Sequence, residues 1–496
     1  MLIKKSLKKF WSILSKAGTN GTLKQIMVEL NNITRTYFLG IGGIGMSAIA
    51  RYFNTKGVYV SGYDKTSTAL TKQMETEGIH IHYEDSIELL DKETELVVYT
   101  PAIPDHHKEF MFYRQNNYTV IKRSEVLESI TNSSFNICIA GTHGKTTIST
   151  MVAHILRDSA YGCTAFLGGI SVNYNTNFWS NNTKVSVVEA DEYDRSFLKL
   201  SPDIAVISAM DADHLDIYGT EEKMEQAFID FSVRIKPGGL LLSKFGLNRS
   251  ADMKASEHFT YSLQNESAYA YAANIRMMHG AYQFDVITKS WMIDNIILNI
   301  GGMHNVENAV AATIIAHHLK IENNKIREAI KNFAGVKRRF EYILHPSPPG
   351  EKGGDEGNII FIDDYAHHPE ELKALISSAK SLFNGLKCTV VFQPHLFSRT
   401  RDLAEEFAKS LDLADEVILL PIYPARELPV AGVSSDLILT KMRNRHKQIL
   451  TKEQLLQWVQ VSAHEKNQGS VFITAGAGDI DTLVEPIKNI LTLKQR

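Results

Sequence analysis

Two glycine-rich loops of different design lie about one hundred residues apart in this chain of 496 residues. The first reads GIGGIG at residues 40–45, and its G-x-G-x-x-G spacing lets the backbone approach a diphosphate closely. The second reads GTHGKTT at residues 141–147 and is a short form of the phosphate loop that binds ATP. A dehydrogenase needs only the first kind of loop, and a simple NTPase only the second. The two together predict an ATP-driven enzyme that acts on a nucleotide-linked substrate.

The glycine loop, residues 40–45, lies between a predicted strand at 36–39 and a predicted helix at 46–54. Asp64 follows the next predicted strand, about 20 residues further on, where dinucleotide-binding folds carry an acidic side chain. Thr100 and Ala102 follow another strand and are expected to line the same crevice, although a strand-end loop without a binding role explains them nearly as well. These residues alone support NAD and a UDP-sugar equally, and a tight turn with no ligand is the structural alternative.

The phosphate loop, residues 141–147, follows a predicted strand at 135–140 and precedes a predicted helix. Its backbone amides are expected to surround phosphate groups, while Lys145 reaches the terminal phosphates and the Thr146 hydroxyl can bind Mg²⁺. The predicted ATP site therefore includes Gly141, Thr142, His143, Gly144, Lys145, Thr146 and Thr147.

Acidic residues follow two later strands of the same unit. Glu189 comes directly after a predicted strand at 185–188, and His214 stands among aspartates after a predicted strand at 204–209. Because the carboxyl ends of parallel strands meet at one edge of a sheet, both groups should face the phosphate loop. Glu189 is expected where a metal-binding carboxylate belongs. A solvated acidic loop, and a structural role for His214, are the alternatives.

Strands and helices alternate along the chain, which predicts mostly parallel sheets covered on both faces. A polar stretch at 131–134 predicts a domain linker, and a further unit begins after the basic residues 337–339. The predicted parts are an N-terminal extension at 1–30 and domains at 31–132, 133–336 and 337–496. The extension is basic, and a membrane-surface helix is the alternative to a dispensable segment.

Composition excludes several classes of protein. The chain has 53 Lys and Arg against 56 Asp and Glu, so no basic excess points to nucleic acid. Its three cysteines are scattered, which argues against a disulfide framework or a cysteine zinc site and predicts a reducing cytoplasm. No apolar run approaches the roughly 18–20 residues of a transmembrane helix.

The motifs together resemble the Mur ligase family of peptidoglycan synthesis, and within it the members that add L-alanine. The matching segments occur in the family's order over nearly all of residues 34–481 and read GIGGIGMSAIARYF, GTHGKTT, EADEYDRSF, DADHLDIYG, GMHNVENA, GVKRRF, DDYAHHPEE, FQPHLFSRTRD and TAGAGDID. The resemblance implies an α/β protein of three domains. These are an N-terminal Rossmann-like domain, a central P-loop ATPase domain with a mostly parallel sheet, and a C-terminal Rossmann-like domain.

The resemblance also implies the reaction and its participants. ATP and Mg²⁺ would be the cofactors, and UDP-N-acetylmuramate and L-alanine the substrates, joined through an acyl phosphate. Neither a nucleic acid nor a transmembrane segment is implied, and the protein would be a monomer or a homodimer. A related ligase that recycles a whole tripeptide, and a nucleotide-binding regulator without turnover, are the competing hypotheses. The GIGGIGMS form of the first loop favours alanine addition.

Each implied role falls on particular residues of this sequence. The UDP substrate would be bound by Gly42, Gly43, Ile44, Gly45, Asp64, Thr100 and Ala102. ATP would also contact Asn305 through adenine, and Arg339 and Asp364 from the C-terminal domain. Thr146, Glu189 and His214 would hold metal, and Lys145, His214 and Arg339 would be catalytic. Tyr365, His367 and Arg399 would surround alanine.

Overall fold

The computed structural model describes residues 30–181, 183–211, 215–278, 280–345, 359–425, 427–462 and 469–493. His214, the loop at 346–357 and all of the predicted extension before residue 30 lie outside these residues. Leu30–Asn32 form a short 3-10 turn in a unit that ends at Ile33, and Thr34–Arg496 form the other compact unit. Within the described residues, no helix has both the length and the apolar character needed to cross a membrane.

The first sheet follows from short apolar runs that alternate with helices. Its strands and helices are β1 (Arg35–Leu39), β2 (Tyr59–Tyr63), β3 (His80–His82), β4 (Leu96–Tyr99), β5 (Val120–Lys122), α1 (Ile44–Thr55), α2 (Ala69–Thr76), α3 (Lys108–Gln115) and α4 (Arg123–Thr131). The five described strands are parallel and have the order β3-β2-β1-β4-β5. The glycine loop leaves the carboxyl end of the central strand β1, which is where open parallel sheets bind ligands.

The second sheet contains ten strands among the described residues. Its elements are β6 (Phe135–Ala140), β7 (Thr164–Ser171), β8 (Thr176–Trp179), β9 (Val185–Glu189), β10 (Ile204–Ile207), β11 (Leu240–Lys244), β12 (Glu257–Ser262), β13 (Ala270–Met278), β14 (Ala281–Thr288), β15 (Met292–Leu298), α5 (Lys145–Asp158), α6 (Leu215–Tyr218), α7 (Glu221–Val233), α8 (Met303–His318) and α9 (Asn323–Asn332). The order is β15-β14-β13-β12-β11-β10-β6-β9-β7-β8. The seven neighbouring strands from β13 to β7 in this order pair in parallel. Strand β8 at one edge, and β14 and β15 at the other, pair antiparallel with their neighbours.

The third sheet has six strands among the described residues. Its elements are β16 (Glu341–Leu344), β17 (Ile359–Asp364), β18 (Lys387–Phe392), β19 (Glu416–Leu419), β20 (Lys447–Ile449), β21 (Ser470–Ala475), α10 (Pro369–Leu382), α11 (Phe397–Asp402), α12 (Ala404–Leu411), α13 (Asp436–Leu439), α14 (Lys452–Ser462) and α15 (Val484–Thr492). The order is β16-β17-β21-β18-β19-β20. Only β16 runs antiparallel to its neighbour within this described sheet. The strands of the three sheets fall inside the three predicted domains, whose boundaries themselves stay a prediction.

Helix α1 of the first domain packs against the β7–β8 hairpin of the second sheet. The Asn177 side chain donates to the Ile44 carbonyl at 2.6 Å and to the Ser47 hydroxyl at 3.0 Å, and it accepts from Arg51 at 2.5 Å. Asn177 is fully buried, so these bonds satisfy a polar group that would otherwise be costly to bury. The contact fixes the start of α1, and with it the glycine loop, beside the second sheet.

Glu109 is a fully buried carboxyl group on α3, and its protonation should affect stability. It accepts a hydrogen bond from the Tyr37 hydroxyl at 2.6 Å and one from the Ser86 amide at 3.1 Å. The Tyr37 hydroxyl also lies 2.6 Å from Nε2 of His82. Burial raises the pKa of Glu109 to about 7 from its usual 4.5. Because the folded protein holds this proton more tightly, stability should fall as the pH rises from about 4.5 to 7.

Glu109→Gln should therefore raise the free energy of unfolding at pH 8 by about 2 kcal/mol, and much less at pH 5. Glutamine keeps the geometry of the protonated acid, since its oxygen can accept from Ser86 and its amide can donate to Tyr37. Denaturant unfolding at the two pH values measures the difference. Glu93→Gln, at an exposed position of the same domain, is the matched control and should change neither curve. If Glu109→Gln were less stable than wild type at pH 8, this would contradict the conclusion that the folded protein favours the neutral form of Glu109.

Candidate active site

The phosphate loop is held tightly between β6 and α5, and its glycines are required by its backbone. Gly144 precedes α5 with a φ of +81°, and Gly141 has a φ of +129°. A Cβ atom on Gly141 would lie 2.3 Å from the Ser208 hydroxyl and 2.7 Å from the Ala209 amide nitrogen. Ser208 donates to the carbonyl groups of Ala140 and His143. The loop backbone is thus fixed from both sides, as a preorganised phosphate site needs.

Lys145 begins α5 and lies inside the loop. Its ammonium group donates to the Gly141 carbonyl at 2.6 Å and to the Glu192 carboxylate at 2.7 Å. The side chain of Glu192 is 1% exposed and that of Lys145 is 15% exposed, so this ion pair is largely shielded from water. Burial raises the pKa of Glu192, and the Lys145 charge opposes that rise. The pair keeps a cation at the point where the terminal phosphates of a nucleotide would lie.

Glu189 ends β9 directly beside the first turn of α5. Its carboxylate accepts hydrogen bonds from the Thr146 hydroxyl at 3.1 Å, the Ser149 hydroxyl at 3.4 Å and the Gly168 amide at 2.9 Å. Burial raises the pKa of Glu189, and the charge of Lys145 is the largest influence that lowers it.

The donor set of Thr146 and Glu189 fits a magnesium ion. Neighbouring ligands of octahedral Mg²⁺ lie about 3 Å apart, since each is about 2.1 Å from the ion. The two oxygens, 3.1 Å apart, match that spacing. Within the described residues, no cluster of three or more His, Cys, Asp or Glu side chains forms a metal site. The third predicted ligand, His214, lies outside those residues, so its role stays a prediction.

The second acidic segment also reaches the phosphate loop. Asp211 follows β10, and its backbone amide donates to the Thr142 hydroxyl at 3.2 Å. Its carboxylate lies 3.6 Å from Nε2 of His143, and both side chains are exposed. The structure thus brings Glu189 and Asp211 to one sheet edge, as the parallel topology predicts. Strand β10 ends at Ile207 rather than at the predicted residue 209, because Ser208 turns inward to hold the loop.

The glycine loop is supported by two of the predicted substrate residues. Gly42 donates its amide to Asp64 at 2.8 Å, and the other Asp64 oxygen accepts from the Thr66 amide at 3.1 Å. A Cβ on Gly40, whose φ is +83°, would lie 2.7 Å from the Thr100 methyl group. Ala102 is exposed just after Thr100. Asp64 and Thr100 therefore shape the loop, while no observation assigns Ala102 a contact with it.

A linker at residues 335–340 carries the chain from the second sheet to the third. Val336 pairs with Ser171 at the end of β7. Asp364, at the end of β17, accepts from the amides of Phe340 at 2.6 Å and Ala366 at 2.7 Å. Burial raises the pKa of Asp364, and the charge of Arg339 opposes that rise. Two predicted ATP residues, Arg339 and Asp364, thus meet at the linker, where Asp364 holds the backbone that presents Arg339.

The predicted alanine residues lie together at the carboxyl edge of the third sheet. The ring of His367 packs against Tyr365, with centroids 5.2 Å apart. Burial lowers the pKa of His367, and the charge of Arg399 lowers it further. His395 lies on the other side, with its ring 6.1 Å from that of His367 and stacked on Tyr423 at 5.9 Å. Aromatic rings and guanidinium groups therefore meet at this edge, where those of Arg338 and Arg339 also lie 5.1 and 5.6 Å from the Tyr365 ring, and such a set of groups suits a small zwitterion.

Comparisons with known proteins cover almost the whole chain. Three family models match in succession: the Mur ligase family catalytic domain at residues 35–134, the Mur ligase middle domain at 139–316, and the Mur ligase glutamate ligase domain at 350–478. The UDP-N-acetylmuramate–L-alanine ligase of Cytophaga hutchinsonii is 45% identical over 470 residues, which is 93% of this chain and 97% of that protein. The chain belongs to the Mur ligase family.

Two further relatives agree with this assignment. The ligase of the same name from Parabacteroides distasonis is 45% identical and covers 94% of this Mur ligase and 98% of its own length. A crystal structure of UDP-N-acetylmuramate–alanine ligase from Thermotoga maritima has a TM-score of 0.78 at 28% identity, covering 93% of this chain and 99% of that one. The predicted three-domain α/β fold, with a mostly parallel central sheet, is confirmed.

Asn305 of this Mur ligase is placed differently from its sequence prediction. The predicted helix begins near residue 310, but α8 begins at Met303, so Asn305 lies in its first turn. Its amide donates to the Gly301 carbonyl at 2.6 Å and its oxygen accepts from Asn308 at 3.1 Å. Asn305 is 2% exposed, and its contact with adenine stays a prediction. Asn308 reaches the phosphate loop, since a Cβ on Gly144 would lie 2.9 Å from its oxygen.

Four residues close to the predicted site residues were given no individual role by sequence reasoning: Glu192 beside Lys145, His395 beside His367, Tyr423 beside His395, and Arg123 beside Gly45. His395 follows β18 within a recognised motif, so the strand-end rule that found Arg399 could have found it as well. Glu192 stands in the acidic segment after β9, but spacing could not show that it pairs with Lys145 across 47 residues. Arg123 and Tyr423 gave no signal, because neither belongs to a glycine or acidic motif.

Proposed function

We propose that this Mur ligase joins L-alanine to the lactoyl carboxylate of UDP-N-acetylmuramate, with release of ADP and phosphate, in the synthesis of peptidoglycan precursors. The relatives with that name, 45% identical over nearly the full chain, support the substrates. One observation carries the reaction type. Glu189 at the end of β9 and Glu192 just after it contact the phosphate loop. Asp191, between them, contacts Arg123 at the start of α4, and Arg123 lies beside Gly45 of the glycine loop. A carboxylate on a substrate anchored at the glycine loop would therefore arrive at the terminal phosphate of ATP.

In the first step a lactoyl carboxylate oxygen attacks the γ-phosphorus of ATP, the bond to the β,γ-bridging oxygen breaks, ADP leaves and an acyl phosphate forms. Both reactants are anions, so positive charge must lie between them before they can meet. Lys145 supplies one charge at the loop, and Arg339 is presented by the linker for the same purpose. Mg²⁺, held by Thr146 and Glu189 with the predicted ligand His214, would add further charge to the phosphate oxygens.

In the second step the amine of alanine attacks the acyl carbonyl, the C–O bond breaks and phosphate leaves. The amine must lose a proton to become a nucleophile. Nδ1 of His367 lies 3.0 Å from the Tyr365 carbonyl, which favours a proton on Nδ1 and a lone pair on Nε2. Burial lowers the pKa of His367, so the ring is neutral at pH 7. We assign it the acceptance of a hydrogen bond from the amine of alanine, which orients the amine towards the acyl carbonyl, while the proton of the amine passes to solvent.

Turnover with a panel of amino acids tests this function. The wild-type protein is given ATP, Mg²⁺ and UDP-N-acetylmuramate with each amino acid in turn, and the product is identified by its mass. We expect ADP and UDP-N-acetylmuramoyl-L-alanine in equal amounts, with L-alanine the preferred acceptor. Preference for a tripeptide would make the protein a recycling ligase, and nucleotide binding without any product would make it a regulator. Since ATP and the UDP substrate are cytoplasmic metabolites, we place the reaction in the cytoplasm.

Arg399→Lys should raise the KM for alanine at least tenfold. An arginine fork pairs with a carboxylate through two parallel hydrogen bonds, and lysine cannot reproduce that geometry. A charge-assisted bond of this kind contributes roughly 1.5–3 kcal/mol, or about 10- to 150-fold in affinity. The KM values for ATP and UDP-N-acetylmuramate should change much less. Arg401→Lys is the matched control, because Arg401 lies on the same helix in an exposed pair with Asp402. A parallel rise of all three KM values in Arg399→Lys would assign Arg399 to closure or folding.

A further inference from the structure

Arg123 lies against the glycine loop although it is far from it in sequence. It is the first residue of α4, which follows β5 at the same carboxyl edge of the first sheet. A Cβ atom on Gly45 would be 2.5 Å from the Nη1 atom of Arg123 and 3.2 Å from its guanidinium carbon. The guanidinium therefore lies directly beside Gly45, in the first turn of α1.

The first turn of α1 is a natural anion site that this cation would complete. The residue that precedes the helix, Gly43, offers no side chain to cap the first amides. Those amides and the helix dipole attract a phosphate, as at other helix N-termini that follow glycine-rich loops. A guanidinium next to the same turn adds a full positive charge and a rigid set of donors that matches phosphate oxygens.

A single ion pair holds Arg123 in this position. Its Nη2 atom donates to the Asp191 carboxylate at 3.2 Å, and the two side chains are 20% and 40% exposed. Within the described residues this is the only hydrogen bond that the Arg123 side chain donates. An ion pair as exposed as this one stabilises a protein little, so support of the fold is a weak reason for its position. Its other donors remain available to a ligand at the glycine loop.

We propose that Arg123 binds the diphosphate of the nucleotide substrate, and that Asp191 is the residue that positions it. The inference rests on the proposed function, and it adds a residue from outside the recognised motifs to the substrate site. Asp191 is followed directly by Glu192, the partner of Lys145. The same short segment thus orients a cation for each of the two phosphate-bearing ligands.

Binding measurements without turnover test this assignment. Calorimetry compares wild type, Arg123→Gln and Gly45→Ala with UDP-N-acetylmuramate and with UDP-N-acetylglucosamine, which has the diphosphate but no lactoyl carboxylate. Arg123→Gln should weaken both ligands by the same factor, roughly 10- to 150-fold. Gly45→Ala keeps the charge but displaces the guanidinium, so it should weaken both ligands in the same direction. Asp191→Asn should have a smaller effect, and none in addition to Arg123→Gln, as a positioning residue requires.

Lys199→Gln is the matched control, because Lys199 pairs with Glu125 at 2.8 Å on the same face without contact to the glycine loop. It should bind both ligands like wild type, and melting curves show whether each variant keeps its fold. The inference is overturned if Arg123→Gln and Gly45→Ala bind both ligands normally. It is also overturned if only UDP-N-acetylmuramate is weakened, since Arg123 would then contact the carboxylate. Failure of the wild-type protein to bind either ligand would instead remove the proposed function.

Discussion

Lys145→Ala is expected to reduce turnover by roughly 10³-fold or more, because it removes a shielded positive charge from the site of phosphate transfer. Binding of UDP-N-acetylmuramate should remain close to that of wild type, since Lys145 lies in the phosphate loop and the glycine loop is built on another sheet. Steady-state phosphate release measures the first quantity, and calorimetry in the absence of ATP measures the second.

This variant needs a control for stability, because Lys145 compensates the buried carboxylate of Glu192. Removing one partner of a shielded ion pair can cost about 3–5 kcal/mol. The double variant Lys145→Ala with Glu192→Gln removes both charges, so it should recover the melting temperature but not the activity. Recovery of activity in the double variant would show that Lys145 only maintains the fold. Near-normal ligation by the single variant would contradict an ATP site at the phosphate loop.

Glu189→Gln is the second change with a large expected effect. Removing a residue that hydrogen-bonds to a metal ligand lowers the metal affinity or the activity of many metal enzymes about 10- to 100-fold. Removing a ligand itself should lower them more. We therefore expect kcat to fall by at least about 10²-fold and the concentration of Mg²⁺ needed for half-maximal rate to rise. Titration of Mg²⁺ against the initial rate measures both quantities.

Stability separates a metal ligand from a structural residue at this position. Burial raises the pKa of Glu189, which means that its negative charge costs folding energy. With its oxygen in place of Oε2, glutamine can still accept from Gly168 and Ser149, and its amide can donate to the Thr146 hydroxyl. The melting temperature of Glu189→Gln should therefore equal or exceed that of wild type. A variant that keeps more than half of its turnover, or one that loses activity because it unfolds, would contradict the metal assignment.

The buried parallel strands were the most predictable part of the fold. The predicted strand at 135–140 has the same bounds as β6. Strands buried on both faces appear in sequence as continuous apolar runs between glycine and polar turns. The antiparallel strands β13 to β15 were not predicted, because polar residues such as Arg276, Asp285 and Asp294 interrupt their apolar runs. Their pairing depends on the sheet edge, which local sequence does not show.

The candidate site also contains parts that local sequence predicts and parts that it does not. Loops with fixed spacing, such as residues 141–147, reveal phosphate chemistry because a few backbone amides and one lysine are enough for it. Contacts between distant segments are different in kind. Arg123 and Asp191 are 68 residues apart and follow strands of different sheets, so only the packing of α4 on the segment after β9 brings them together. The helix start predicted near residue 310 was too late, since Asn305 lies in the first turn of α8 and its amide donates to the Gly301 carbonyl.

Transfer of an oxygen atom tests the central claim most directly. UDP-N-acetylmuramate labelled with ¹⁸O in its lactoyl carboxylate is incubated with the enzyme, ATP, Mg²⁺ and L-alanine, and the released phosphate is analysed by mass spectrometry. If the carboxylate attacks the γ-phosphate and the amine then attacks the acyl carbonyl, each phosphate carries one oxygen from the substrate. We predict one labelled oxygen per phosphate, with release dependent on both the UDP substrate and alanine. Unlabelled phosphate, or phosphate released at the same rate without either substrate, would contradict an acyl-phosphate ligase.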